Sequence, residues 1–248
     1  MPRLTSYLYH FLPPALNYYL CTFHVVIILP IPSVHGKNRN PLYNKERKRG
    51  YFMKIQIPDD FDPEKIIRSG QCFRASAQPD GSFHFITGKN MLSLSPLGAD
   101  TWEADCTPYA WKRVWAPYFD LSVSYKSLRR SIPAKDHFLR AAAGYGKGIR
   151  ILRQDPFEML ITFIISQRKS IPAIRSSVDK LCLAAGKEIT KNGRTFYTFP
   201  SPSALGKLSV NELKNCSLGY RAAYIHATVR MIAREKISFT KMETLSDK

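Results

Sequence analysis

Acidic residues are scarce in this chain. Its 248 residues hold 19 Asp and Glu against 37 Lys and Arg, a net charge of +18. Residues 1–52 carry +6 of that and the rest still carries +12, so the excess is not confined to a tail. Such a balance favours a polyanionic partner, because neutralising phosphates releases condensed counterions. Nucleic acid is the first expectation and an anionic membrane the second. Cysteine is sparse as well. Cys21, Cys72, Cys106, Cys182 and Cys216 are widely spaced, odd in number and never form C-x-x-C. That excludes a disulfide framework and a zinc knuckle and points to a reducing, cytoplasmic compartment. No metal and no organic cofactor is expected. There is no internal repeat and no low-complexity tract.

Long uninterrupted apolar runs are also missing. Leu4 to Gly36 contains no Lys, Arg, Asp or Glu, but Pro13, Pro14, Pro30 and Pro32 break it. The longest proline-free piece, Ala15–Leu29, has 15 residues, short of the roughly 20 that a membrane-crossing helix needs. A membrane partner is therefore not expected. Lys45-Glu46-Arg47-Lys48-Arg49-Gly50 can be encoded almost wholly by purines, and Met53 follows closely. We expect translation to start at Met53, with residues 1–52 a spurious or disordered extension.

From Met53 the pattern becomes orderly. Alternation predicts strands over Met53–Ile57, Gln71–Ala77, Ser82–Thr87, Met91–Pro96 and Thr101–Ala104. Pro79-Asp80-Gly81 and Gly88-Lys89-Asn90 supply turns. Asp62-Pro63 opens a helix as a cap followed by proline. This predicts a small antiparallel sheet domain over 53–107. Beyond Pro108 the chain reads as helical to 248. Trp111, Val114, Trp115 and Tyr118 share one helical face, and a helix is predicted from Pro133 to Ala143. Asp155-Pro156-Phe157-Glu158 is a capping-box pattern that opens a very apolar helix through Ile165. Further helices are predicted from Pro172 to Ala185, after the Ser209–Glu212 capping box, and from Tyr220 with Ile225, Val229 and Ile232 inward. The fold class is α+β.

Three stretches carry a resemblance. Ser69-Gly70-Gln71-Cys72-Phe73-Arg74 resembles the S-G-Q-x-F-R of 8-oxoguanine DNA glycosylases. Leu152-Arg153-Gln154-Asp155-Pro156-Phe157-Glu158 resembles their L-R-Q-D-P-x-E helix. Phe199-Pro200-Ser201 through Leu218-Gly219-Tyr220-Arg221-Ala222 is similar to their F-P-S and L-G-Y-R-A segment. The resemblance implies a sheet domain beside a helix-hairpin-helix glycosylase domain, and base excision repair of duplex DNA holding an oxidised guanine. Some DNA glycosylases carry an iron–sulfur cluster, for which this chain has no Cys quartet.

A glycosylase must rotate its target base out of the duplex, fill the gap and read the base. The resemblance assigns base recognition to Gly70, whose carbonyl would accept from the N7–H that only the oxidised guanine has. It assigns the wedge and the contact to the unpaired opposite base to Tyr220 and Arg221. Arg168 stands where the eukaryotic form has an Asn that fills the hole left by the base. An Arg there would be a longer, charged wedge. Lys169 and Ser170 are expected on the DNA backbone. Ala173 stands where the family often has an Arg, with Arg175 two residues on, which leaves the opposite-base preference open.

The family's chemistry belongs to a hairpin of pattern L-P-G-V-G-x-K and to a later Asp. The Lys attacks C1′ and forms a Schiff base, and the Asp stabilises the developing charge. From Lys236 through Lys241 and Met242 to Lys248 no such hairpin occurs, so neither Lys241 nor Lys248, and neither Glu243 nor Asp247, is assigned a catalytic role. The helical domain is thus expected to be incomplete and its apolar faces prone to aggregate. The favoured reading is a monomeric glycosylase for oxidised guanine, with or without lyase activity, in the bacterial cytoplasm near the nucleoid. An alkylated-base glycosylase of the same superfamily, a non-catalytic DNA-binding remnant and a membrane-associated protein stand as alternatives.

Overall fold

The computed structural model describes residues 51–235 and 237–239. Cys21, the 1–50 part of the expected extension, Lys236, Lys241, Met242, Glu243, Asp247 and Lys248 lie outside them. The chain parts into two compact units that are not consecutive in sequence. One holds 51–155 with 182–199, and the other 156–181 with 200–239. This grouping differs from a division at 107/108.

The first unit is built on a five-stranded antiparallel sheet, β1 (Met53–Gln56), β2 (Ala75–Ala77), β3 (Phe83–Thr87), β4 (Asn90–Pro96) and β5 (Thr101–Ala104), in the order β1-β5-β4-β3-β2. Phe85 pairs with Leu92 and Leu94 with Ala104, so the alternation sets one apolar face. Helix α1 (Pro63–Arg68) starts where Asp62 accepts from Lys65 N at 3.0 Å. Helix α2 (108–118) contains a π turn at Trp111–Trp115. Trp115, Tyr118 and Phe119 enter the sheet core, with Trp111 and Val114 packed at its edge. That packing ties 108–119 to the sheet. Phe119 meets Phe85 edge-on at 4.9 Å and Phe61 at 5.1 Å, pairs worth about 0.5–1.5 kcal/mol each beyond area burial.

Two expectations in this unit are corrected. The strand expected over Gln71–Ala77 is only Ala75–Ala77, because Gln71 spends its side chain bridging to another segment. The helix expected from Pro133 begins instead at His137. There α4 (His137–Tyr145) is capped by Asp136, which accepts from Leu139 N at 2.8 Å, while the Pro133 carbonyl closes a turn. An unforeseen helix, α3 (Tyr125–Arg130), precedes it, capped by Ser124. A second unforeseen feature is the hairpin β6 (Glu188–Lys191) and β7 (Arg194–Tyr197). Asn192 and Gly193 turn it at φ 52 and 73, the left-handed pair of a tight hairpin.

In the second unit α5 (Pro156–Ser166) buries Phe157, Leu160, Ile161, Ile164 and Ile165. It is followed by α6 (Ile171–Ala185), whose last residues belong to the first unit. Short helices α7 (Pro202–Leu205) and α8 (Val210–Leu213) come next, the latter with the expected reciprocal Ser209–Glu212 box. A π turn at Lys214–Leu218 leads to α9 (Arg221–Ala233), which buries Ala222, Ile225 and Val229 and half-buries Ile232. Among the described residues no helix is long and apolar enough to cross a membrane.

Candidate nucleic-acid interface

In the first unit the turn after α1 is a fixed object. Gly70 has φ 76, a conformation open to glycine at little cost. Gln71 locks the turn from both ends of its amide. Its Nε2 donates to Ser69 Oγ at 3.0 Å and to Arg150 O at 2.8 Å, and its Oε1 accepts from Leu152 N at 2.9 Å. Gln154 Nε2 donates to Gln71 O at 2.6 Å. The S-G-Q and L-R-Q stretches therefore hold each other, through neutral amides.

Behind them lies Arg150, wholly buried. Its guanidinium donates to the carbonyls of Phe119, Asp60, Asp120 and Val123 at 2.7–2.9 Å, reaches Asp59 Oδ2 at 3.3 Å and lies 4.2 Å from the Tyr125 ring centre. Asp59 in turn caps α3, accepting from Tyr125 N and Lys126 N at 2.7 Å each. Burial pushes the Asp59 carboxyl up, but the backbone N–H groups of Asp60, Lys126 and Tyr125, with Arg150, outweigh it and leave it below its ordinary value.

In the second unit two loops present the remaining residues. Arg168, Lys169 and Ser170 lie between α5 and α6, with Arg168 exposed and left-handed at φ 51. Tyr220 precedes α9, 55% exposed, edge-on to Tyr224 at 6.0 Å. Arg221 differs from a freely exposed base reader. It is 8% exposed, its Nε and Nη2 both donate to Gln167 O, and its guanidinium carbon sits 4.5 Å from the Tyr220 ring centre. Nη1 takes no part in those bonds.

Lys169 also turns inward, donating to Ser217 O at 2.7 Å and to Ser177 Oγ. Burial, with Arg221 and Lys180 nearby, pulls its ammonium below the ordinary value. Arg168, Lys169, Ser170, Tyr220 and Arg221 are thus brought together within one unit, and Gly70 belongs to the other. Ala173 and Arg175 lie half-buried in the first turns of α6. Gln71, Gln154, Lys180 and Ser217 were not singled out from sequence. The first two stand inside recognisable motifs, whereas nothing local marks the last two.

Among the described residues no group of three His, Cys, Asp or Glu is placed to hold a metal ion. Cys72, Cys106, Cys182 and Cys216 are buried, and burial pushes the Cys106 thiol up to about 11.

A sequence profile described as "8-oxoguanine DNA glycosylase, N-terminal domain" matches residues 54–160. The apo structure of the Clostridium acetobutylicum 8-oxoguanine glycosylase/lyase is 30% identical. The match covers 80% of this chain and 69% of that one, with a TM-score of 0.74. The chain belongs to the 8-oxoguanine DNA glycosylase family. The same Clostridium enzyme bound to duplex DNA with cytosine opposite 8-oxoG matches at TM-score 0.72 and 30% identity, over 78% of this chain and 69% of that one. The Arabidopsis thaliana N-glycosylase/DNA lyase OGG1 is 28% identical over 66% of this chain and 46% of its own length. The chain spans less than half the length of the curated relatives it matches, between 32% and 46%. Within this family member, the profile takes in the Gly70 turn and the first half of α5 but stops before Arg168 and Tyr220.

Proposed function

We propose that this protein is a base excision repair glycosylase that flips and removes oxidised guanine, 8-oxoguanine, from duplex DNA. The observation that carries the reading is the pair of tied loops that present a charged Arg168 and an exposed aromatic Tyr220 side by side with basic residues. Base–aromatic stacking and a charged side chain suit an opened base step, because the step exposes a π face and an unpaired hydrogen-bonding edge. Tyr220 and Arg168 act as wedges. Arg221 braces the loop through Nε and Nη2 and offers Nη1 to the opposite base. Lys169 and Ser170 lie on the loop that faces the phosphates. Gly70, locked by Gln71 and Gln154, presents its carbonyl to N7–H of the lesion. No nucleophile is assigned among the described residues.

The net charge of +18 supports work on the chromosome, and we place it in the bacterial cytoplasm, done by a monomer. One duplex series tests the reading. The chain is incubated with 8-oxoguanine opposite each of the four bases and with undamaged duplex, and binding and base release are both measured. Release from the lesion alone supports it. Salt-dependent binding without release makes the chain a DNA-binding remnant, and release of alkylated bases instead moves the substrate class.

A further inference from the structure

The turn before Tyr220 departs from ordinary backbone at two places. Ser217 sits at φ 60, ψ 31 and Gly219 at φ 55, ψ −132. The first is left-handed, where an L side chain is disfavoured, and the second suits only glycine. Leu218 between them is wholly buried. Local preference does not sustain such a turn at Ser217, so something must grip it. Two ammonium groups do. Lys169 Nζ donates to the Ser217 carbonyl at 2.7 Å, and Lys180 Nζ donates to the Ser217 hydroxyl at 2.7 Å. Lys169 arrives from the loop that carries Arg168, and Lys180 from the middle of α6. The tie is returned by Arg221, which holds Gln167 O from the start of α9. Each loop thus grips the backbone of the other.

We infer that Lys169 and Lys180 are positioning residues for the glycosylase reaction: by gripping Ser217 they hold the turn that aims Tyr220 at the duplex. The inference rests on the reading of Tyr220 as a wedge. It goes beyond that reading in assigning a task to Lys180 and Ser217, which stand outside the family motifs. The depressed Lys169 ammonium agrees with this arrangement, since a lysine meant only for phosphate would gain by staying in water, away from Arg221 and Lys180.

The test uses the full chain and a duplex with 2-aminopurine beside 8-oxoguanine, where fluorescence rises as the lesion leaves the stack. Tyr220→Ala lowers that rise. Lys180→Met lowers it about two- to fivefold, the low end of the coupling between neighbouring residues, with the melting temperature and the salt slope of binding unchanged. Ser217→Ala, which removes only the hydroxyl that Lys180 grips, reproduces the effect. In a Tyr220→Ala background Lys180→Met adds nothing.

Normal flipping in Lys180→Met beside impaired Tyr220→Ala overturns the inference alone. So does an effect of Lys180→Met that persists without Tyr220, or a salt slope reduced by about one, which marks a phosphate contact instead. Normal flipping in Tyr220→Ala overturns the wedge reading and the inference with it.

Discussion

The two units solve one problem, holding an awkward backbone still, with different chemistry. The Gly70 turn in the first unit is held by the neutral amides of Gln71 and Gln154, over a buried Arg150 whose donors all reach carbonyls or Asp59. The Ser217 turn in the second is held by the exposed Lys180 and the half-buried Lys169. Amides in a shielded network do not respond to salt or to pH near neutrality. Ammonium groups at a surface are screened and compete with water. On the proposed roles, a turn that presents one fixed carbonyl benefits from the first arrangement, and a turn whose tyrosine enters and leaves a duplex benefits from the second, because weak ties can give and re-form.

The comparison is broken most severely at Arg150. Arg150→Ala takes one donor from each of four carbonyls and leaves Asp59 without its cation, so a loss of about 3–5 kcal/mol is expected, read by chemical denaturation. Gln71→Ala comes next. It strands Leu152 N and Arg150 O, and a loss of about 1–3 kcal/mol is expected. Selectivity for the lesion over guanine should fall with it, in competition binding against undamaged duplex. Lys180→Met should change stability by no more than about 0.5 kcal/mol, as exposed substitutions generally do, so its expected effect on flipping would stand apart from stability. Equal destabilisation by Lys180→Met and Gln71→Ala would remove the contrast between the units.

A pH series sharpens it further. The Asp59 carboxyl lies below its ordinary value of 3.8 in the folded chain. Its contribution is therefore present above that value and is lost as pH falls through the lower, folded one. Acid should loosen the capped α3 and the Arg150 network before the hairpin β6–β7. Hydrogen exchange of Tyr125 and Lys126, whose amides Asp59 accepts, would show it. Early exchange at the paired Ile189 and Phe196 instead would contradict that order.

Much of this molecule was readable from local chemistry. Asp62 before Pro63, the Ser209–Glu212 box and the alternation through Phe83–Thr87 and Asn90–Pro96 each determine a structure within a few residues, so one stretch of sequence suffices. The three motifs likewise identified the family, because they stand in order along one chain. Asn192-Gly193 is itself a local hairpin signal, since both residues take left-handed backbone readily. The helix at His137 shows how a near miss arises, since Pro133 and Asp136 are both good starts and only the turn at Pro133 chooses between them.

Other decisions belonged to tertiary structure alone. The resemblance assigns Arg221 to the opposite base, and nothing in the sequence shows that its guanidinium is drawn onto Gln167 O, more than fifty residues away along the chain. Gln71 meets Leu152 and Gln154 across a comparable gap, and Lys180 meets Ser217. Helix 108–118 joins the sheet unit because Trp115 and Phe119 fill its core, although composition groups it with the helices that follow. Caps, turns and alternation act between neighbours in the chain and leave a trace there. Hydrogen bonds and packing between distant segments depend on where the folded chain brings them, and no local pattern records that.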